Sequence, residues 1–274
     1  MKRILIFMAI CLPLLTVAQR KPKIKGNREV TEVREELPPF NAIELNDNLE
    51  IQLKKSFGEG YEITADDNLV DILKFKVEDS TLVISSFYTV TAKKQFDITV
   101  NYRELKAITM RDGKITTPDI ISADKLFVNV FGPAKINIKA SAFVADLNME
   151  DTSVGDFNFD VDSLNVNLRH KADATLYSAT GANIVELADN ANLTIDGTTD
   201  KLKLTTLNSA KFKGEKLQAA NAAVRTEESG FVRLYATKEL ELYSSGDSRI
   251  HLYGEPRISI LDFLDTSQLI KKQD

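Results

Sequence analysis

Between Leu105 and Ile260 the chain repeats one short pattern of apolar and polar positions. Units open with two apolar residues two positions apart: Leu126 and Val128, Leu147 and Met149, Leu164 and Val166, Leu202 and Leu204, Ala222 and Val224, Leu240 and Leu242. Ten residues after most openings comes a second pair, as in Ile136 and Ile138, Phe157 and Phe159, Ala174 and Leu176, Val232 and Leu234, and Ile250 and Leu252. The first unit, from Leu105 to Thr117, is weaker, and the sixth keeps Phe212 but follows it with Gly214. The fifth is irregular, opening at Ile184 or at Val185. Alternation of this kind is the period of a strand, with every second side chain on one face. A repeat of about 20 residues made of short strands predicts stacked coils, because one coil alone buries too little apolar surface to fold. The expected fold class is all-β: a parallel β-helix, or β-solenoid, of about eight rungs with a last partial turn at Ile258 and Ile260. At the spacing of hydrogen-bonded strands, eight rungs span roughly 40 Å. Leu126, Leu147, Leu164, Leu202 and Leu240 are expected to stack as one buried column.

Two further regularities refine this picture. A small residue follows most openings by eight positions: Gly113, Ala134, Gly155, Ala172, Ala210, Gly230 and Ser248, with Ala191 in that place in the irregular rung. Such a column predicts a tight corner where backbone crowds backbone, and since Ala is accepted, a positive φ is not required in every rung. The path from a second pair to the next opening varies, taking 9 residues from Ile138 to Leu147 but 5 from Phe159 to Leu164. Length variation belongs in surface loops, so one edge of the solenoid is expected to be irregular and to meet any specific ligand.

The flanks divide the rest. Residues 1–18 read as a signal peptide, with Lys2 and Arg3 ahead of the apolar run from Ile4 to Val17 and a cleavage site at Thr16-Val17-Ala18. That run is too short to span a bilayer, and no other segment is apolar enough. Cys11, the only cysteine, lies inside it; the alternative is a lipid anchor there, although Met8-Ala9-Ile10 makes a poor lipobox. Cleavage after Ala18 leaves no disulfide and no thiolate metal site. Residues 19–36 form a basic leader, with Arg20, Lys21, Lys23, Lys25 and Arg28, read as flexible. Residues 37–104 lack the rung register and are expected to be an N-terminal β cap block, with strands at 42–45, 49–53, 61–64, 81–85 and 96–100. A short helix is expected within 66–75, with Leu69, Ile72 and Leu73 on its apolar side. Residues 261–274 are the candidate C-terminal cap, since bare sheet ends invite unwanted pairing.

Several short motifs recur in order along the chain: Phe40-Asn41-Ala42-Ile43, Thr81-Leu82-Val83-Ile84, Phe131-Gly132, Glu228-Ser229-Gly230, Ser245-Gly246-Asp247-Ser248-Arg249-Ile250 and Tyr253-Gly254-Glu255-Pro256. With the signal peptide and the ladder, this layout resembles the head GIN domain family of bacterial envelope proteins, the putative auto-transporter adhesins, over roughly residues 30 to 258. The chain departs from the family pattern where the Ser-Gly turn is lost, at Lys171-Ala172 and Asn208-Ser209-Ala210. The resemblance implies a β-helical protein of the cell envelope, from the Bacteroidota, without a defined activity. An auto-transporter needs a C-terminal membrane barrel of strands about 10 residues long, and none is expected from residues 261–274.

The chemistry that the sequence offers is sparse. The mild net charge of -5 does not point to nucleic acid, and the absence of Trp disfavours a sugar-stacking platform. β-Solenoids host polysaccharide lyases and hydrolases, so carboxylate pairs matter. Asp156, Asp160 and Asp173 are predicted to point outward on adjacent rungs, where charged residues normally go as a solvated face. His170 and His251, the only histidines, stand four rungs apart and cannot share a metal; no cofactor is expected. The candidate ligand-binding set is Lys211, Lys213, Phe231, Arg233, Arg249 and His251, which the register places on one outward face with no Asp or Glu at those positions. A basic stripe with one aromatic suits an anionic glycan or headgroup; the bland alternative is a lysine- and arginine-coated sheet kept soluble. The expected function is therefore a non-catalytic, exported binding or structural protein, adhesin-like. Its expected partner is an anionic polysaccharide or another envelope protein. The alternative is a carbohydrate-active enzyme of β-helical type.

Overall fold

The structure, a computed structural model, describes residues 21–273, so the signal segment and Cys11 lie outside the described residues. The first strands are β1 (Lys23–Lys25), β2 (Val30–Glu36), β3 (Ala42–Leu45), β4 (Glu50–Lys55), β5 (Gly60–Asp66), β6 (Leu73–Glu78), β7 (Thr81–Ser86), β8 (Thr89–Ala92) and β9 (Phe96–Tyr102). The ladder continues through β10 (Ala107–Met110), β11 (Lys114–Val130), β12 (Lys135–Met149), β13 (Val154–Leu168) and β14 (Asp173–Leu187). It goes on through β15 (Asn192–Thr206), β16 (Lys211–Thr226) and β17 (Phe231–Ser244), and closes with β18 (Arg249–Tyr253), β19 (Arg257–Phe263) and β20 (Gln268–Lys271). Its regular structure is nearly all strand, wound into a β-solenoid of about 9 turns.

Each long strand serves two sheets. Its first half, as at Ile136 and Ile138, joins what we call sheet 2; the chain then rounds a corner, and its second half, as at Ala145 and Leu147, joins sheet 1. All neighbouring rungs in the repeat pair parallel, so away from the corners each inward side chain lies on its counterpart in the next rung. One column of sheet 1 runs unbroken through Leu82, Ile43, Ile108, Val128, Leu147, Val166, Val185, Leu204, Val224 and Leu242 to Ile260. All of these but Ile260 are buried.

The register differs from the sequence reading by two residues in one rung. The partner of Leu126 and Leu164 is Ala145, and Leu147 belongs to the neighbouring column with Val128 and Val166. All five predicted leucines are buried, but only four share a column. That column alternates large and small: Leu126, Ala145, Leu164, Asn183, Leu202, Ala222, Leu240. Facing layers fill space in this way without overpacking. The alternation also misled the sequence reading, since a weak Ala or a polar Asn at an opening hides it. A shift of two leaves the strand alternation intact. With the true openings at Ala145 and Asn183, each rung from Leu126 to Leu202 is 19 residues long, and the irregular edge disappears there. The register instead slips at the corners, near 116–120, 194–196, 214–218 and 219–221.

The corner column is corrected likewise. Ser153, not Gly155, stands with Ala134 and Ala172 at the tight turn between the sheets; Gly155 pairs with Ile136 and Ala174 inside sheet 2. A Cβ on Gly155 would meet the Phe157 ring at 2.2 Å, and one on Gly214 would meet Phe212 at 2.3 Å, so each glycine makes room for a buried ring. The positive φ of the turn sits at Gly132, Asp151, His170, Asp189, Asn208, Glu228, Gly246 and Asp265. Its side chains brace the stack. Asp151 Oδ2 accepts from Gly132 N at 3.1 Å, Asp189 Oδ2 from His170 N at 3.1 Å, and Asp265 Oδ2 from Gly246 N at 2.8 Å.

The region before the repeat carries more of the ladder than its sequence suggests. β3 and β7 extend sheet 1, and β4 and β9 extend sheet 2, all in parallel register. Antiparallel β6 then covers β7, and antiparallel β5 covers β9, with β2 outside β5. Tyr61 of β5 stacks on Phe75 of β6 at 4.0 Å, tying the two covers together. No α-helix forms at 66–75; a single 3-10 turn at Asp67–Leu69 tucks Leu69 into the core, and β6 takes over from Leu73. The leader is not free either. β1 pairs with β8, Ile24 packs on the core, and Lys21 reaches Asp47 and the carbonyl of Ser86. Among the described residues no helix is long and apolar enough to cross a membrane.

Candidate functional site

The candidate site is the outward face of sheet 2 where β16, β17 and β18 meet. Strand alternation dictates its membership. Phe212, Val232 and Ile250 point into the core, so their neighbours along each strand point out. Lys211, Phe231 and Arg249 form one outward column, and Lys213, Arg233 and His251 the next. The structure thus brings all six predicted residues onto one patch. Phe231 is its centre: the His251 ring meets it edge-on at 5.2 Å, and the Arg233 guanidinium lies 5.3 Å from its centroid. Such contacts hold an aromatic and a cation in fixed mutual positions at an exposed sheet.

Acids that the register did not place also reach the patch. Arg233 Nη1 donates to Glu215 Oε1 at 3.0 Å, and Arg249 Nη2 lies 3.9 Å from Asp247 Oδ2. Glu215 falls in the stretch after Gly214 where the strands slip, so alternation could not locate it. Arg233 Nε and Glu215 Oε2 are buried without partners, which leaves this pair half satisfied. Among the described residues Lys211 and Lys213 make no ion pair, and Lys272 adds its charge from beyond β20. Burial holds the His251 imidazole below its usual pKa, and the charges of Lys272, Arg233 and Arg249 lower it further. The lowering comes first from burial and second from the three neighbouring cations, which crowd positive charge onto this face. Tyr235 and Tyr253 pair beside it across β17 and β18, a second aromatic flank that the sequence reading passed over.

The rest of the surface is built for other chemistry. Two of the carboxylates considered for catalysis are engaged by neighbouring amides. Asn137 Nδ2 contacts Asp156 Oδ2 at 3.4 Å, Asn192 Nδ2 donates to Asp173 Oδ1 at 2.9 Å, and Asp160 sits farther along its strand near the corner. Among the described residues no group of three His, Cys, Asp or Glu is placed to hold a metal. Sheet 1 carries an amide array instead: Asn148 donates to Asn129 at 3.0 Å, and Asn165 to Asp146 at 2.5 Å, while Lys125 lies over the Phe127 ring at 4.4 Å.

A family model for the putative auto-transporter adhesin, head GIN domain, matches residues 39–256. The chain belongs to that family. Its matched span takes in the covered N-terminal end, the whole run of long strands and the basic patch. Solved structures agree on the fold. A putative adhesin from Parabacteroides distasonis is 16% identical, with a TM-score of 0.68 over 91% of this chain and 100% of that one. A putative lipid binding protein from the same organism is 19% identical, with a TM-score of 0.66 over 91% and 99%. A putative adhesin from Parabacteroides merdae is 15% identical, with a TM-score of 0.66 over 92% and 99%. At such identities the likeness carries the fold and no binding chemistry. No curated protein matches the chain.

Proposed function

We propose that this family member is a non-catalytic binding protein of the cell envelope or cell exterior, and that the patch around Phe231 takes an acidic polysaccharide. The carrying observation is the pair of outward columns Lys211, Phe231, Arg249 and Lys213, Arg233, His251, which set cations beside an aromatic on a flat sheet. A flat strip with charges at the rung spacing suits a long chain with regularly placed anions better than a small ligand, which would need a closed pocket. Phe231 offers an apolar face to the sugar ring, while Lys211 and Lys213 supply charge that no ion pair among the described residues takes up. The family and the signal-like segment at residues 1–18 support export to the periplasm or surface.

The test is binding of heparin, as a model sulfated polysaccharide, while salt is raised. Wild type should bind and weaken steadily with salt, because exposed charges are screened within about 10 Å at 0.1 M. Lys213→Glu with Arg249→Glu should abolish binding with an unchanged melting temperature; both side chains avoid the half-buried Arg233–Glu215 pair. Equal binding by variant and wild type would overturn the assignment, as would preference for vesicles of an anionic phospholipid over the polysaccharide.

A further inference from the structure

The β19 rung is built like the interior ones, yet no strand among the described residues covers it. Ile258, Ile260 and Phe263 of β19 continue the inward columns of Leu240, Leu242 and Ser244. Leu242 is 0% exposed, whereas Ile260, one rung on, is 52% exposed, and Leu261 and Leu264 beside it are exposed as well. β19 pairs only with β17, so the backbone groups along its other edge have no strand partner among the described residues. The two sheets end differently. On sheet 2, Lys271 of β20 occupies the column of Leu252, and a charge at an inward position blocks further stacking. β19 has no such guard.

We propose that β19 pairs with β19 of a second copy of this chain, antiparallel about a twofold axis at Ser259, joining two solenoids end to end. The register follows from a bulge. Leu242 pairs with Ile260 and Tyr243 with Asp262, so Leu261 is an extra residue and Asp262 stands where the position after Ile260 should be. Opposed residues of an antiparallel pair share a face, which requires inward residues to meet inward ones. Centring on Ser259 sets Ile258 against Ile260 of the other copy, twice. It also sets Arg257, which within its own chain donates to Glu239 at 2.8 Å, against Asp262, twice, so each guanidinium would bridge its own Glu239 and the other copy's Asp262. A twofold axis makes the contact self-limiting, since it uses up the open edge of sheet 1 on both copies. At the N-terminal end the outermost strands are the antiparallel covers β6 and β2, whose outer edges are guarded by charge, at Lys74, Lys76 and Glu78 and at Glu32, Arg34 and Glu36.

Sedimentation equilibrium of the whole protein over a hundredfold range of concentration reads this directly. A monomer–dimer equilibrium is expected, shifted at least tenfold toward monomer by Ile260→Lys and by Arg257→Asp. Arg257→Asp combined with Asp262→Arg should restore the dimer. In a Cys11→Ser background, Ser259→Cys should form an intermolecular disulfide on mild oxidation, whereas Lys203→Cys, on an interior rung, should not. Monomer at every concentration, or open-ended oligomers, would overturn the proposal, as would a dimer indifferent to Ile260→Lys or a charge swap that fails to restore association.

Discussion

The two ends of this solenoid solve the same physical problem in opposite ways. Both must end a stack whose inward residues need a neighbour above and below. At the N-terminal end the chain leaves the parallel ladder and folds antiparallel strands over it. Ile43, two rungs from the end of its column, is as buried as any interior residue. At the C-terminal end the column stops at Ile260, and among the described residues no strand pairs beyond β19. A repeat protein draws its stability from nearest-neighbour contacts, so the penalty for truncating a side chain should depend on how many neighbours it has. The ends therefore differ in energy by more than their similar apolar residues suggest.

The largest effects should come from one column read at different heights. Ile43→Ala behind the cap and Leu164→Ala in the middle should each destabilise by about 2–5 kcal/mol, the cost of a buried large-to-small change. Ile260→Ala, measured in dilute protein, should cost no more than about 0.5 kcal/mol, as surface changes do. Urea unfolding of the three variants checks this. A loss at Ile260 equal to that at Ile43 would mean that the C-terminal end is covered within a single chain.

Gly155→Leu should follow, with a loss of about 1–3 kcal/mol from overpacking, because its Cβ would strike the Phe157 ring. The double change Gly155→Leu with Phe157→Ala should recover part of that loss. A crowded turn, the reason the sequence suggested, would predict no recovery, so a thermal melt of the pair separates the two explanations.

The N-terminal end also carries a buried charge lock. Asp66 is fully buried at the end of β5 and accepts backbone hydrogen bonds from Lys94 and Arg28 on Oδ2 and from Gln95 on Oδ1. Gly26 lies so close that any side chain there would collide with the carboxylate. Burial by itself raises the Asp66 pKa; the donors at Lys94, Gln95 and Arg28, with the charge of Lys94, outweigh it and hold the carboxyl below its usual range. A folded-state value below the unfolded one stabilises the fold above about pH 4 and loses that contribution as pH falls through the depressed value. Asp66→Asn should therefore be less stable than wild type at neutral pH, with the gap closing below about pH 4. A gap that stays constant with pH would show that the lock is steric and not ionic.

Much of this was legible before the structure, and the failures have identifiable causes. The repeat, its class and the six residues of the basic patch follow from alternation, which survives a register error of two. The register itself was lost where Ala145 and Asn183 stand in place of a large apolar residue. The rungs at β3–β4 and β7–β9 were hidden because antiparallel strands interrupt them in sequence, so no fixed period links Leu82 to Ile43. β2 was missed because Val30–Glu36 covers an outer edge and is mostly charged. Glu215 was missed because it lies in a slip, where no pattern applies.

The smallest predicted effect belongs to the patch beside the open end. His251 is held below its usual pKa by burial and by Lys272, Arg233 and Arg249. At neutral pH its ring is neutral and adds no charge to the face. A bound polyanion would offset the surrounding cations and favour the imidazolium, so binding should take up a proton. Affinity for heparin, whose sulfates do not titrate in this range, should then rise as pH falls below about 6.5, by about threefold between pH 7.5 and pH 5.5. His251→Gln should bind as wild type does at pH 7.5 and lose the rise. Sulfate esters lying on this face require that proton uptake; a pH-independent affinity in wild type would place the polyanion elsewhere, away from the Phe231 columns.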